Sequence, residues 1–288
     1  MPTKRAKPPT VRLRRLAAEL RRLRTAAKLS REQVAEHTGI NEGTLYRIET
    51  ARARPQRRTL VALLALYEAD AALRADLIEI ARTADDQGWL RQYHAALPGE
   101  YGAYISFEAE ARSVRNYESL FIPGLLQTER YARAVITGAL PISQAEIDQR
   151  VQARLERQQL LDASEPLELW AVIDEAALRR LVGGPEVMEA QIEHLTKLSR
   201  RPNITVQVIP FGAGAHPGMP GSFVLMDFRD DLDPALVYID TMAGDLFLES
   251  DADVRRYTQI FDHLRAAALS PSDSTNLMTS TIQALKGG

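Results

Sequence analysis

Hydrophobic positions in the first seventy residues recur with a helical period. The stretch 11–27, VRLRRLAAELRRLRTAA, contains only helix-compatible residues, and its leucines at 13, 16, 20 and 23 return at spacings of three and four. That spacing gathers Leu13, Leu16, Leu20 and Leu23 on one helical face. Lys28-Leu29 close the segment. Ser30, with Gln33 three residues later, forms a capping-box pattern that predicts a second short helix over 31–38, with Val34 and Ala35 turned inward and Gly39 as its stop. Asn41 is placed to cap a third helix over about 42–50, on which Leu45 and Ile48 face the core. The apolar segment TLVALLALY, 59–67, adds another helix that can close a small core. A helix, a glycine-containing turn and a second helix describe a helix-turn-helix, in which the second helix is the one that enters a groove of DNA.

Beyond residue 70 the pattern becomes mixed. Residues 71–82 and 100–119 have helical character, the latter entered from Pro98-Gly99, and Pro123-Gly124 mark a turn before the helical LLQTERYARAVI. Segment 145–162 predicts an amphipathic helix with Ile147, Val151, Leu155 and Leu161 along one stripe. Four segments, 167–173, 204–210, 223–228 and 235–240, are rich in β-branched and aromatic residues and predict strands. The first two, separated by a helix at 185–199, suit a parallel crossover, and the last three an antiparallel meander. Helices over 251–268 and after Pro271 complete the pattern. The expected fold is multidomain: an all-α helix-turn-helix N-terminal domain, then an α+β C-terminal domain with a small mixed sheet. The expected boundaries are a disordered basic arm at 1–10, a DNA-binding domain at 11–82 and the α+β domain at 85–288.

Charge sharpens the picture. The 288 residues have a net charge of −2, yet residues 1–67 hold 16 Lys+Arg against 5 Asp+Glu, and the remainder holds 20 against 33. One end attracts a polyanion while the other repels it, which confines nucleic acid to one domain. With no cysteine, disulfides and thiolate metal sites are excluded, and a reducing, cytoplasmic setting is expected. No apolar run reaches the ~18–20 residues of a bilayer span, and the basic MPTKRAK start lacks the apolar segment of a secretory leader.

The segment LRRLRTAAKLSREQVAEHTGINEGTLYRIETARARP resembles the Cro-like, XRE-type helix-turn-helix regulators over about residues 14–67. The resemblance implies a buried Arg24–Glu49 pair tying the first helix to the recognition helix. It implies a phosphate contact for Arg31 and base-edge positions for Glu42, Gly43 and Arg47, with Thr44 and Tyr46 as neighbours. Arginine suits guanine and glutamate suits cytosine in such readout. Arg52, Arg54 and Arg57, from the ARARPQRR that follows, are expected to anchor the register on phosphates. Two positions depart from the family pattern: Gly43 has no side chain where a base-reading group is common, and Thr38 replaces an aliphatic residue.

Further along, FIPGLLQTERYARAVI, RVQARLERQQLL, VIDEAAL and the IPFGAGAHPG loop resemble the uncharacterised C-terminal domain of actinobacterial helix-turn-helix regulators, over about residues 85–285. That resemblance implies an antitoxin-like regulator whose C-terminal domain binds a small partner protein. Together the two imply a homodimer on a short inverted repeat of double-stranded DNA, nucleoid-associated and independent of membranes. A C-terminal domain that senses a small-molecule effector is the alternative.

Signs of catalysis are sparse. His37, His94, His194, His216 and His263 show no metal-ligand spacing, and neither a nucleophile elbow nor a P-loop is present. The expectation is therefore no enzyme, no cofactor and no metal. Asp174-Glu175 lies at a strand end, where a helix N-cap explains it as well as a site does. The Gly/Pro-rich loop 212–221, containing His216, reads as a connection between strands. Trp89, Tyr93, Tyr101, Tyr104 and Phe107 read as core, and Arg150, Arg154 and Arg157 as a solvated helix face.

Overall fold

The computed structural model describes residues 10–83, 99–139, 142–229 and 233–287. Most of the expected basic arm, together with Trp89 and Tyr93, lies outside them. Two compact units divide the chain: Met1–Arg91 with Gly99–Phe107 and Asp230–Asp233, and Gln92–Pro98 with Glu108–Arg229 and Pro234–Gly288.

Helices α1 (Val11–Ala26), α2 (Arg31–Thr38), α3 (Glu42–Glu49), α4 (Arg57–Leu66) and α5 (Ala71–Thr83) build the first unit. Local chemistry sets their limits. Thr10 caps α1 by accepting from the Leu13 N–H at 3.2 Å. Ser30 and Gln33 form a reciprocal capping box, and Gly39 ends α2 in the left-handed conformation at φ 69°. Leu16, Leu20, Val34, Leu45, Ile48, Leu60, Leu63 and Leu64 interlock in one buried core, with Tyr67 and Leu77 closing it. The ring of Phe107 carries the guanidinium of buried Arg14 at 5.3 Å. The aromatics expected to be core divide accordingly: Tyr104 and Phe107 are buried, and Tyr101 stacks on Tyr104 at 5.9 Å.

The second unit is built on one six-stranded mixed sheet ordered β3-β2-β1-β4-β5-β6. Its strands are β1 (Ala111–Glu118), β2 (Glu168–Asp174), β3 (Ile204–Ile209), β4 (Phe223–Phe228), β5 (Leu236–Ile239) and β6 (Leu246–Leu248). Strands β1, β2 and β3 run parallel; β4, β5 and β6 continue from β1 by antiparallel pairing.

Two expectations change here. Residues 100–119 are not one helix: α6 (Gly99–Glu110) gives way to β1, whose Arg112, Arg115, Asn116 and Glu118 hide its strand character. In consequence the meander is not β3-β4-β5. The β3 strand sits three places away from β4, with β2 and β1 between them, and the true meander is β4-β5-β6. The β2–β3 crossover through α9 (Glu175–Arg179) and α10 (Pro185–Leu198) is parallel, as its helix-bearing spacing requires.

Side chains alternate between the faces. Tyr117, Val172, Phe223, Leu225 and Val237 meet Phe261 and Leu264 of α11 (Asp251–Ala267) in one core. The opposite face buries Val114, Leu169, Ala171, Ile173 and Val206, and the crossover helix α10 packs on α7 (Glu129–Ala139). The long amphipathic helix α8 (Gln144–Arg157) stops at Arg157 and tightens into a 3-10 turn over Gln158–Asp162. Along the outer margin of β3, α12 (Pro271–Gly287) supplies Ser274, whose Oγ accepts the Val208 N–H at 2.9 Å.

Candidate nucleic-acid interface

Helix α3 presents two faces of opposite character. Leu45 and Ile48 are buried, whereas Glu42, Gly43, Tyr46 and Arg47 are exposed and Thr44 half-buried. The Asn41 side chain starts the helix by accepting the Gly43 N–H at 2.9 Å. A Cβ at residue 43 would stand 3.1 Å from that same Asn41 oxygen. Glycine there costs about 1 kcal/mol of helix propensity and leaves the cap uncrowded.

What fixes the helix is a carboxylate. Glu49, its side chain fully buried, accepts from Arg24 Nε at 2.6 Å and Nη2 at 3.3 Å. Arg24 also donates through Nη1 to the Leu29 carbonyl at 2.7 Å, so one guanidinium joins the α1–α2 turn to α3. The second partner is Arg31, whose Nε donates to the other Glu49 oxygen at 2.8 Å. Tyr67 lies in the same field: burial, with the Glu49 charge next, pushes its phenol up to about 12.

Arg31 is therefore a brace as well as a surface group, a role spacing alone does not reveal because it crosses between helices. Its guanidinium also lies over the Tyr46 ring at 5.3 Å, and that of Arg52 lies over the same ring at 5.7 Å. Arg47 Nη2 donates to Thr44 Oγ1 at 3.1 Å, one turn earlier on the exposed face. Arg54 is exposed and donates to the Arg82 carbonyl at 3.3 Å. Arg57 and Arg58 open α4, exposed, with no acidic residue in its first turn and no side-chain cap. Cations at a helix N-terminus oppose its dipole, so this end favours an external anion that answers both.

In the second unit several side chains take unexpected places. Arg150, Arg154 and Arg157 are not a solvated face. Arg157 is buried and donates from Nε and Nη2 to Glu108 at 2.7 and 2.8 Å, Arg154 binds Gln127 Oε1 at 3.0 Å, and Arg150 pairs with Glu146. Asp174 caps α9 through the Ala176 N–H at 2.8 Å. His216 Nε2 lies 3.3 Å from Asp174 Oδ2, and its Nδ1 accepts the Gly218 N–H at 3.3 Å. Both ring nitrogens are thereby engaged in pinning the 212–221 loop. Among the described residues, no group of three or more His, Cys, Asp or Glu could hold a metal ion.

An exposed helix face carrying Arg47, flanked by arginines and held through a buried carboxylate, belongs to a helix-turn-helix DNA-binding regulator, and residues 15–77 match the family model described as a helix-turn-helix domain. Residues 101–280 match a second model, described as a domain of unknown function (DUF5753), and the chain belongs to that family. No curated protein and no solved structure matches it. No helix among the described residues is long and apolar enough to cross a membrane.

Proposed function

We propose that the protein is a sequence-specific transcriptional regulator of the XRE type, an actinobacterial, antitoxin-like kind, acting in the cytoplasm and on the nucleoid. It binds a short inverted repeat as a homodimer, its recognition helices entering successive major grooves about 34–36 Å apart. The functional domains are those read from the sequence, 11–82 for DNA and 85–288 for regulation. Glu42, Gly43 and Arg47 face base edges, with Thr44 and Tyr46 beside them. Arg31, Arg52, Arg54 and Arg57 meet phosphates. The C-terminal domain takes a small partner protein and carries no catalytic function.

The observation that carries this reading is the Glu49 carboxylate shared by Arg24 and Arg31, which locks α3 with Tyr46 and Arg47 outward. Rigid presentation matters because a base contact works only within hydrogen-bond geometry. Selection of sheared genomic DNA on the purified protein at physiological salt, followed by sequencing, tests it. Enrichment of a short inverted repeat is expected; even, salt-sensitive recovery of all fragments would refute sequence-specific regulation.

One observation favours the alternative in which the C-terminal domain senses an effector. A cavity of about 720 Å³ opens where β1, β2 and β3 begin, with Trp170, Phe261, Arg115 and Arg265 among its walls. Arg265 lies over the Trp170 ring at 4.7 Å, and Glu165, Glu168 and Asp262 line the same cavity, a mixed-charge lining suited to a small polar organic ligand. A metabolite that raises the melting temperature of the protein and changes its operator affinity would establish this reading over partner binding.

A further inference from the structure

Among the described residues of the second unit, the large apolar side chains that stand exposed all lie at one end of the sheet. Topology brings them there. The parallel strands β1, β2 and β3 share a carboxyl end; β4 begins at that end, β5 finishes there and β6 starts back from it. Leu120 and Phe121 follow β1, and Leu181 follows α9 beyond β2. Phe211 and Met219 belong to the β3–β4 connection, while Met242 and Leu246 flank the β5–β6 turn. Their exposure runs from 44 % at Leu120 to 111 % at Met242.

The connecting segments are stitched into one rim. The Phe211 N–H donates to Glu175 Oε2 at 2.9 Å, His216 meets Asp174, and Ser222 Oγ lies 3.2 Å from Ser119 Oγ. The β3–β4 loop thus passes over the ends of β2 and β1, with Gly218 set against the Tyr117 ring. Glu118, at the end of β1, is pushed up to about 7, chiefly by burial, and the Asp240 charge after β5 adds to the rise.

Charge narrows the identity of the occupant. Segments 118–128, 174–184, 209–222 and 240–246 contain Glu118, Asp174, Glu175, Asp240 and Asp245 against only Arg179 and Arg180. Arg179 and Glu175 pair with each other at 2.9 Å and Asp174 lies beside His216, so the acidic balance of the rim is carried by Asp240 and Asp245. Exposed apolar side chains gathered at one end of a domain mark an interaction site, and the carboxyl end of parallel strands is where open α/β sheets receive ligands.

We propose that this rim is the docking surface for a protein partner whose contact segment presents apolar side chains flanked by lysine or arginine. The proposal rests on the reading that the C-terminal domain has a protein partner, and adds the location and the chemistry.

The test uses the full chain and two fluorescent amphipathic peptides, one of leucine and lysine, the other of leucine and glutamate. The lysine peptide is expected to bind, and the double variant Phe211→Ser/Met219→Ser to weaken it at least about tenfold, as loss of central apolar anchors does. Asp240→Asn/Asp245→Asn should weaken it severalfold at low salt and little at high salt. These are surface changes, and unaltered melting temperatures check that the variants fold. Equal binding of the glutamate peptide overturns the charge assignment. Lysine-peptide affinity untouched by the rim variants overturns the location while the partner reading stands; no binding of either peptide removes both. A dimer that Phe211→Ser/Met219→Ser converts to monomer in sedimentation would assign the rim to a second copy of the chain and overturn the proposal.

Discussion

Arg31 Nε and the Glu49 carboxylate meet at 2.8 Å across eighteen residues of chain, on the oxygen that Arg24 Nε does not use. One buried carboxylate thereby holds two helices to the recognition helix, and its removal and that of its partners should differ in kind. Arg24→Ala leaves Glu49 with Arg31 alone and should cost up to ~3 kcal/mol, the low end for breaking a buried pair. Arg24→Ala/Arg31→Ala should lose more than the two single variants together, because only then is the charge unpaired. Urea unfolding of the three variants checks this; strictly additive losses would count against a shared carboxylate.

Arg47 stands on the exposed face with Thr44 as its neighbour, free of the Glu49 network. Arg47→Ala should leave stability unchanged, cost about 1–3 kcal/mol on the selected operator and relax preference at one base pair. An equal loss on every DNA sequence would assign it to phosphate instead.

Arg57, exposed at the first turn of α4, should behave in the opposite way. Arg57→Ala should weaken specific and random DNA alike and lower the salt dependence of binding by about one counterion. Titrations at several salt concentrations separate the two classes, and an unchanged slope removes Arg57 from the interface.

In the second unit, the β3–β4 loop is seated by a glycine. A Cβ at Gly218 would stand 2.5 Å from the Tyr117 ring and 2.9 Å from Leu264, both buried. Gly218→Ala should therefore destabilise this unit by about 1–3 kcal/mol through overpacking, without affecting DNA affinity. A melting temperature equal to that of wild type would show that the loop does not press on β1.

Glu118 sets a pH dependence. Its folded pKa of about 7 lies above the ordinary 4.5, so folding favours the protonated form. Its contribution to stability is full below about pH 4.5 and fades as pH rises through about 7. Glu118→Gln should flatten the decline of this unit's melting temperature across that window and stabilise it at alkaline pH. An identical pH profile in both proteins would remove Glu118 as its origin.

Much of the first unit was legible because its signals are local. Ser30 with Gln33, Gly39 and Asn41 each act within three residues, and the leucine spacing of α1 needs only its own helix. The resemblance to XRE-type regulators supplied the Arg24–Glu49 pair and a phosphate contact for Arg31, but not the contact of Arg31 with Glu49, which joins two helices eighteen residues apart. In the second unit the strands rich in Val, Ile and Phe could be read, whereas β1 was not. ARSVRNYE spends Arg115 on Asp227 at 3.0 Å and Asn116 on the Phe223 carbonyl at 3.3 Å, contacts whose partners lie more than a hundred residues away. The same distance effect concealed Arg157, whose Glu108 partner comes 49 residues earlier.

The margin of β3 closed by Ser274 has a consequence for assembly. Val208 directs its N–H to Ser274 and its carbonyl accepts the Leu269 N–H at 2.9 Å, so at Val208 the backbone of that margin is already engaged. At the other margin β6 is only three residues long, too short to template a growing sheet. Both margins thus oppose the joining of two such sheets edge to edge. A chain cut before Pro271 would lose that stopper, and its expected failure is aggregation rather than simple unfolding.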